Sequence, residues 1–388
     1  MRFFYLFYLS IFSLVIFSCN NEKRKNNILQ NNKTEKKNTT NHKIKYAKGF
    51  NIINKKNYKI LQVYNPWQGA DKIQYEYVLI NKDDNFIKPS NSSIIIKTPI
   101  KKIICLSTTH IAFIDLLNET NSIIGLSGSR FVNNNKIEKL IEQGKISEIG
   151  YDNNINYELI ISLQPDIVMA YGITGESIGF FNKLKDLDIN VVFNAEYLEK
   201  EPLGKTEWLK FIACFYNKEN IAEKEFNRIE IKFNNLCRLT DSVYSKPVIL
   251  TGLPWKDNWY VPGGNSYAAK LINLAGGKYL WKDNISHESI ALNIEKVFEK
   301  SQVADIWINI GAANSISDII AVDERISEFQ ILKNNKLYNN NAIISKNGGN
   351  DYWESGLINP HLILKDMIYI FHPDIIPNHK LIYYKKIE

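Results

Sequence analysis

The chain has 388 residues and a formal net charge of +7. Residues 20–50 contain nine Lys or Arg and two acids, so most of the excess charge lies there and the rest of the chain is close to neutral. A near-neutral body lacks the basic face that nucleic-acid-binding domains present, which excludes that class. Its length exceeds that of one ordinary domain and predicts two lobes.

The first 19 residues predict a secretory signal. Met1 and Arg2 precede a mainly apolar run over residues 3–17, and Ser18 stands directly before Cys19. The run is shorter than the roughly 20 apolar residues of a permanent membrane span. Residues 16–19 resemble the bacterial lipobox, in which the cysteine is lipidated and becomes the mature N-terminus. We therefore predict a lipid anchor on Cys19, and the alternative is an ordinary signal peptide that ends near a cysteine.

Residues 20–50 are rich in Asn, Lys and Thr and contain few large apolar side chains. Such a segment buries too little surface to offset the entropy of ordering it, so we predict a flexible tether between anchor and body. Its basic charge adds a modest attraction to anionic lipid headgroups, unless the Lys and Asn content reflects only coding bias.

Residues 51–99 have the pattern of a β extension ahead of the first lobe. Apolar side chains alternate with polar or smaller ones, as in a half-exposed strand, at Ile73, Tyr75, Tyr77 and Leu79. Turn residues at 65–69 separate this strand from another predicted over residues 58–63. We predict an antiparallel sheet, whose function cannot be read from the sequence.

Residues 100–205 predict a first α/β lobe. Short apolar runs predict strands over residues 103–106, 123–126, 166–170 and 189–193. The segments between them predict helices over residues 107–117 and 175–187. Strands that are apolar throughout are buried on both faces. Their alternation with helices predicts a mainly parallel sheet.

Residues 206–245 predict helices that link the two lobes. Over residues 219–243, apolar side chains recur at spacings of four and three, which places them on one helical face: Ala222, Phe226, Ile229, Phe233 and Leu236. At 1.5 Å per residue this helix would be about 37 Å long. A rigid helix of that length can join two lobes and limit their hinge motion.

Residues 246–388 repeat the α/β pattern and predict the second lobe. We predict strands over residues 246–250, 305–309 and 342–345, and helices over residues 266–274 and 292–300. A closing helix is predicted within residues 350–373, where Trp353 is expected to pack and not to contact a ligand.

Two α/β lobes on one long helix, behind a lipobox, resemble the periplasmic substrate-binding proteins for iron–siderophores, haem and cobalamin. The similarity covers residues 100–373 and is carried by residues 102–108, 157–168, 261–264 and 274–277. The sequence departs from the family at Ala304-Asp305, where Pro-Asp is usual. It implies two Rossmann-like lobes with mainly parallel sheets joined by one long helix. It also implies an inner-membrane ABC permease as partner.

Members of this family present one glutamate per lobe to arginines of the membrane subunits. By resemblance, Glu158 and Glu295 take this role, since each opens a helix that leads to a strand. The helix dipole stabilises an acid in the first turn while leaving it exposed to a partner. The alternative is that both residues only stabilise their helix starts.

The resemblance places the ligand in the cleft between the lobes, and α/β sheets bind ligands beyond the carboxyl ends of their strands. Aromatic side chains there suit a macrocycle or aromatic chelate, and Arg130 suits a negative group. The expected ligand-binding residues are Thr108, Thr109, His110, Arg130, Tyr171, Trp255, Trp259 and Asn314. The alternative role of each aromatic is packing, and that of Arg130 is a surface ion pair.

We expect no catalytic centre, resident cofactor or bare-metal site. The chain has no G-x-S-x-G, P-loop or C-x-x-C motif, and its histidines do not cluster. Cys105 is expected in a buried strand. The sequence does not decide whether Cys214 and Cys237 form a disulfide. Haem needs only one or two axial ligands, which keeps His110, Tyr171 and His287 as candidates.

These observations predict a substrate-binding lipoprotein of an ABC importer. It would capture a ferric siderophore or cobalamin between its lobes and deliver it to the permease. We expect it in the periplasm, anchored to a bacterial membrane through Cys19. The alternatives are a haem-binding lipoprotein of the same fold and a scavenging lipoprotein that is not coupled to an importer.

Overall fold

The computed structural model describes residues 43–82, 94–151, 154–172 and 177–388. The predicted signal, Cys19 and most of the predicted tether lie outside these residues. The described residues belong to one compact unit, Asn41–Glu388. None of the helices in this part of the chain is both long and apolar enough to cross a membrane.

An N-terminal sheet of four strands precedes the first lobe. The strands are β1 (Phe50–Asn54), β2 (Tyr58–Tyr64), β3 (Gln74–Asn81) and β4 (Ile94–Thr98). The pairs β1–β2 and β2–β3 are antiparallel, which confirms the predicted extension, and β4 adds a parallel strand beside β3. The apolar side of this sheet is part of the core of the first lobe.

The first lobe contains a parallel sheet in the order β7-β6-β5-β8-β9. Its strands are β5 (Ile103–Cys105), β6 (Ile123–Leu126), β7 (Ser147–Glu148), β8 (Ile167–Ala170) and β9 (Val191–Phe193). Its helices are α1 (Thr109–Leu116), α2 (Asn135–Glu142), α3 (Tyr157–Leu163) and α4 (Ser177–Asp186). All four pairings are parallel, which confirms the predicted sheet, and the strands β5, β8 and β9 are buried along their whole length.

Two linking helices follow, α5 (Pro202–Cys214) and α6 (Glu219–Thr240). The predicted apolar face of α6 is confirmed: Ala222, Phe226, Ile229 and Phe233 are buried. Leu203 of α5 belongs to the core of the second lobe, whereas Trp208 and Phe211 belong to that of the first. The helix α5 therefore contributes to both cores.

The second lobe has a sheet in the order β13-β10-β15-β16-β17, parallel except at β17, and a small antiparallel sheet, β11-β12-β14. The strands are β10 (Val248–Thr251), β11 (Pro254–Trp255), β12 (Asn258–Pro262), β13 (Lys278–Tyr279), β14 (Ser289–Leu292), β15 (Ile306–Ile308), β16 (Leu337–Asn339) and β17 (Lys385–Lys386). The helices are α7 (Tyr267–Leu274), α8 (Ile294–Ser301), α9 (Ile316–Val322) and α10 (Pro360–Phe371).

The predicted strand over residues 342–345 is wrong. Ile343 and Ile344 are exposed, and Ile344 makes only an isolated bridge to Asn350. The strand of the sheet is β16, which lies a few residues earlier in an Asn-rich stretch. Asn339 is tolerated inside it because its amide is satisfied: Oδ1 accepts the Ile310 N–H at 2.9 Å, and Nδ2 donates to backbone carbonyls of the same loop.

The first described residues are fastened by two buried glutamates, Glu207 on α5 and Glu199 just before that helix. Glu207 accepts hydrogen bonds of 2.7–3.1 Å from the backbone N–H groups of residues 45–47, and Glu199 accepts those of residues 48 and 49 at 2.8–3.0 Å. Lys210 Nζ lies 3.1 Å from Glu207 and is also buried. Residues 45–49, which we assigned to the tether from composition, are therefore part of the folded body.

Candidate ligand-binding site

A cavity of about 760 Å³ lies between the two lobes. Most of its lining comes from three parts of the chain: the N-terminal sheet with its β2–β3 loop, the segment from β9 into α5, and the region of the second lobe from β12 to β14; Trp353 adds a side chain from a fourth segment. Its lining includes Trp67, Tyr197, Lys205, Tyr267, His287 and Trp353. The cavity is thus aromatic, and its lining also contains a histidine, four lysines and three glutamates.

Lys205 projects from α5 toward the second lobe. Its ammonium lies 4.4 Å from the centroid of the Tyr267 ring at the start of α7. Burial lowers the pKa of Lys205, and the carboxylates of Glu196 and Glu199 oppose this shift. A nearby ion pair between Lys270 and Glu201 also joins α7 to the start of α5. A cation at this point of the cavity can attract a negative group of a ligand.

Glu196 lies near Lys205 and is almost fully buried. Burial raises the pKa of Glu196 to about 6, whereas Lys205 and a hydrogen bond from the Thr109 hydroxyl lower it. Thr109 in turn lies 2.9 Å from Ser107, between their hydroxyl oxygens. The strand-end loop after β5 therefore contributes to a polar cluster with Glu196, and Thr108 is the half-buried N-cap residue of α1.

Two predicted ligand residues lie in the core. His110 is fully buried, neither ring nitrogen has a hydrogen-bond partner within the described residues, and burial lowers its pKa to about 3, so the ring is neutral. Trp259 is fully buried and stacks on Trp307, with ring centroids 5.6 Å apart. The alternation of β12 explains this, because its apolar face points inward. Trp259 therefore has the packing position that we gave as the alternative to ligand contact.

The other predicted residues are spread over the surface and the lobe edges. Arg130 is exposed, and its guanidinium lies 4.6 Å from the Phe131 ring centroid. Trp255 is 62% exposed, Tyr171 is half-buried, and Asn314 accepts a hydrogen bond from Lys385 Nζ at 2.8 Å. None of the eight predicted ligand residues is among the residues that line the cavity.

Sequence reasoning missed most of the cavity lining. Trp353 is 55% exposed and lines the cavity, although we expected it to pack. His287, considered only as a haem ligand, also lines it, with Nδ1 3.3 Å from the Asn265 carbonyl oxygen. The alternating pattern of residues 58–79 was a signal for the sheet but gave no indication that its loop faces the lobes.

The two predicted docking glutamates have matching local geometry. Glu158 and Glu295 each stand in the first turn of a helix and are exposed. Each helix is capped by an asparagine, since Asn156 accepts the Leu159 N–H at 2.9 Å and Asn293 accepts the Lys296 N–H at 3.0 Å. In addition, Glu295 forms an exposed ion pair of 2.7 Å with Arg325.

Glu354 connects the second lobe to the first. Its Oε2 accepts the Asn133 N–H at 3.0 Å, and the side chain is buried. Burial raises the pKa of Glu354 to about 7, although the hydrogen bond from Asn133 lowers it. This carboxyl group therefore titrates near neutral pH at a contact between the lobes.

We expect Glu354→Gln to remove a pH dependence of stability. An unfolded glutamate ionises near pH 4.5, but Glu354 keeps its proton up to about pH 7 in the fold. The folded state thus binds more protons between these values, so wild-type stability should fall as pH rises through this window, by at most about 3 kcal/mol. Thermal unfolding from pH 4 to 8 measures this. The exposed control Glu142→Gln should keep the wild-type fall in stability with pH. If the stability of Glu354→Gln falls with pH in parallel with that of the wild type, Glu354 is not the group responsible.

The three cysteines of the body are free thiols. Cys105 and Cys214 are buried, and Cys237 is half-buried, so the structure contains no disulfide between Cys214 and Cys237. Burial raises the pKa of Cys237 to about 11, which keeps the thiol protonated. Within the described ranges, no group of three or more His, Cys, Asp or Glu side chains is placed to hold a metal ion.

Two α/β lobes that enclose a cavity and share a long linking helix define a two-lobed solute-binding protein. The model of the periplasmic binding protein family matches residues 103–342, and the chain belongs to this family. An uncharacterized lipoprotein of Methanocaldococcus jannaschii is 30% identical over 391 residues, which cover 94% of this chain and 90% of the relative.

Solved structures show the same fold at low sequence identity. A possible iron-binding, periplasmic solute-binding protein from Staphylococcus epidermidis has a TM-score of 0.54 at 19% identity, over 70% of this chain and 99% of that one. A periplasmic heme-binding protein from Pseudomonas aeruginosa has a TM-score of 0.56 at 11% identity, over 74% of this chain and 98% of that one. The family and these neighbours are solute-binding proteins and not enzymes.

Proposed function

We propose that the protein captures an organic metal chelate, a ferric siderophore or cobalamin, between its lobes and delivers it to an ABC permease. The mature chain would be anchored through Cys19, with residues 20–42 as the tether. Support for the anchor comes from the lipobox and from the relative that is itself named a lipoprotein. The fold neighbour named as a possible iron-binding protein supports the ligand class.

The cavity carries this proposal. Its volume of about 760 Å³ lies within the usual range of pockets that bury an organic ligand. Tyr267 and Trp353 offer flat apolar surfaces for the body of a chelate, at low entropic cost. Lys205 offers a charge-assisted contact to an acidic edge. This combination suits a bulky ligand with an apolar face and negative groups.

A second candidate, haem, is favoured by His287. Its Nδ1 lies 3.3 Å from a backbone carbonyl, which favours a proton on Nδ1 and leaves Nε2 as the nitrogen that can coordinate iron. The Pseudomonas aeruginosa neighbour is named as heme-binding. A Soret band that His287→Ala weakens would select haem over the other chelates.

Titration of the purified chain from residue 20 onward tests the proposal. Ferrichrome, a ferric catecholate, cyanocobalamin and haemin are added in turn while tryptophan fluorescence and the visible spectrum are followed. We expect one ferric siderophore or cyanocobalamin to quench the fluorescence selectively. If its bound edge is acidic, Lys205→Gln should weaken binding about tenfold, equal to about 1.4 kcal/mol, while the exposed Lys56→Gln should not. No response to any probe would contradict the proposed function.

A further inference from the structure

The N-terminal sheet is fixed to the first lobe at the end of β9. The Tyr77 hydroxyl accepts the Phe193 N–H at 3.0 Å, and the Tyr75 ring lies 4.6 Å from the Phe193 ring. Tyr77 and Phe193 are both buried. Because these contacts are part of one core, the sheet must move with the first lobe as a single body.

The β2–β3 loop, residues 65–73, is held by hydrogen bonds within itself. Asn65 accepts the Ile73 N–H through Oδ1 at 3.0 Å and donates its own N–H to the Ile73 carbonyl at 2.8 Å, while the Ala70 N–H donates to the Trp67 carbonyl at 3.2 Å. These bonds close the loop on itself.

The loop covers the residues that follow β8 and β9. Trp67 is buried over Gly172, where an added Cβ would stand 3.2 Å from Trp67 Cβ. Tyr197 donates a hydrogen bond to the Gly172 carbonyl oxygen. Burial raises the pKa of Tyr197 to about 12, although a hydrogen bond from the Gln68 backbone lowers it. The carboxyl ends of these strands, where α/β sheets receive ligands, are thus partly occupied by the extension.

The same loop also faces the second lobe across the cavity. Gln68, Gly69 and Ala70 line one wall, and His287 and Glu288 line another. Gln68 is exposed, so its amide can donate to and accept from a polar edge of a ligand. The loop therefore has the rigidity, the position and the chemistry of a ligand contact.

We propose that the β2–β3 loop is a third wall of the ligand site, and that Gln68 determines which chelate fits. This rests on the proposed function, because it assigns a role within the same cavity. The wall belongs to the first lobe, so a ligand would bind to the loop and first lobe together and meet the second lobe on closure.

The test compares two tryptophan substitutions on the same sheet. Gln68→Trp places a bulky ring in the cavity, whereas Lys56→Trp places one in the exposed turn at the other end of β2. Both are titrated with the probe that the wild-type chain binds best among ferrichrome, a ferric catecholate, cyanocobalamin and haemin. Gln68→Trp should weaken binding about tenfold or more, and Lys56→Trp should not change it. Gln68→Ala should alter the ratio of affinities for the two best probes.

The outcomes separate the two proposals. Unchanged affinity and unchanged selectivity in both Gln68 variants, with a wild-type chain that binds, would overturn the role of the loop alone. A wild-type chain that binds no probe would count against the proposed function and against this inference with it. Thermal unfolding checks that the variants are folded, and Gln68→Ala keeps the test valid if the larger side chain disturbs the loop.

Discussion

Replacing Glu207 by Gln is expected to lower the free energy of unfolding by about 3–5 kcal/mol. The Glu207 carboxylate is fully buried and accepts three backbone N–H groups, of residues 45–47, as well as a bond from Lys210. A neutral amide loses the charge-assisted part of these bonds and leaves the Lys210 ammonium, 2% exposed, without this counter-charge. Glu223 remains 3.1 Å from Lys210, so the loss should not exceed this range.

Urea unfolding followed by tryptophan fluorescence measures this effect. The matched control is Glu225→Gln on α6, whose carboxylate forms an exposed pair with Arg228 at 2.8 Å. Removal of such a pair should cost about 0.2–1 kcal/mol. Equal midpoints for Glu207→Gln and Glu225→Gln would show that the buried carboxylate does not fasten residues 45–47 to α5.

The double variant Glu158→Arg and Glu295→Arg is expected to abolish uptake while leaving ligand affinity unchanged. Each substitution would set a cation against the permease arginines that we propose as partners, and juxtaposed like charges cost several kcal/mol. Neither residue lines the cavity, so the ligand site is untouched. The lost pair with Arg325 should matter little, because Glu295 is 67% and Arg325 is 59% exposed.

Uptake of the identified chelate is measured in cells whose own copy is replaced by each variant. Glu142→Arg with Asp283→Arg gives the same change of charge at two exposed positions away from the first turns of α3 and α8. This control should transport normally. Normal uptake by the Glu158 and Glu295 variant would defeat the docking assignment and would favour a scavenging lipoprotein that is not coupled to an importer.

The fold was predictable where burial imposes a regular apolar pattern on an element, whether on both faces of a strand or on one face of a helix. The run over residues 123–126 is apolar on every side chain and matches β6 residue for residue, and the apolar face of α6 follows from its spacing alone. The prediction failed at β16, because Asn339 is polar and buried. Its amide is satisfied by a loop near residue 310, and no local pattern encodes a partner that distant.

The candidate site was much less predictable than the fold. The strand-end loops were identified, yet His110 and Trp259 point into the core. Neighbouring residues along a helix or strand point in different directions, so a shift of one residue decides whether a side chain faces the core. The cavity depends on contacts between segments far apart in the chain, such as Trp67 over Gly172. A sequence read one segment at a time gives no signal for such pairs.

The attachment of residues 45–49 to Glu207 on α5 and to Glu199 just before it has a mechanical consequence. If the chain is anchored through Cys19, as we propose, a pull from the membrane would enter the body at its N-terminal end, where the bonds to Glu207 and Glu199 would receive the force. Because α5 contributes side chains to both cores, the load falls on an element common to the two lobes and not on one of them. With such an anchor, thermal fluctuations at the membrane attachment should therefore displace the molecule as a whole and should not separate the walls of its cavity.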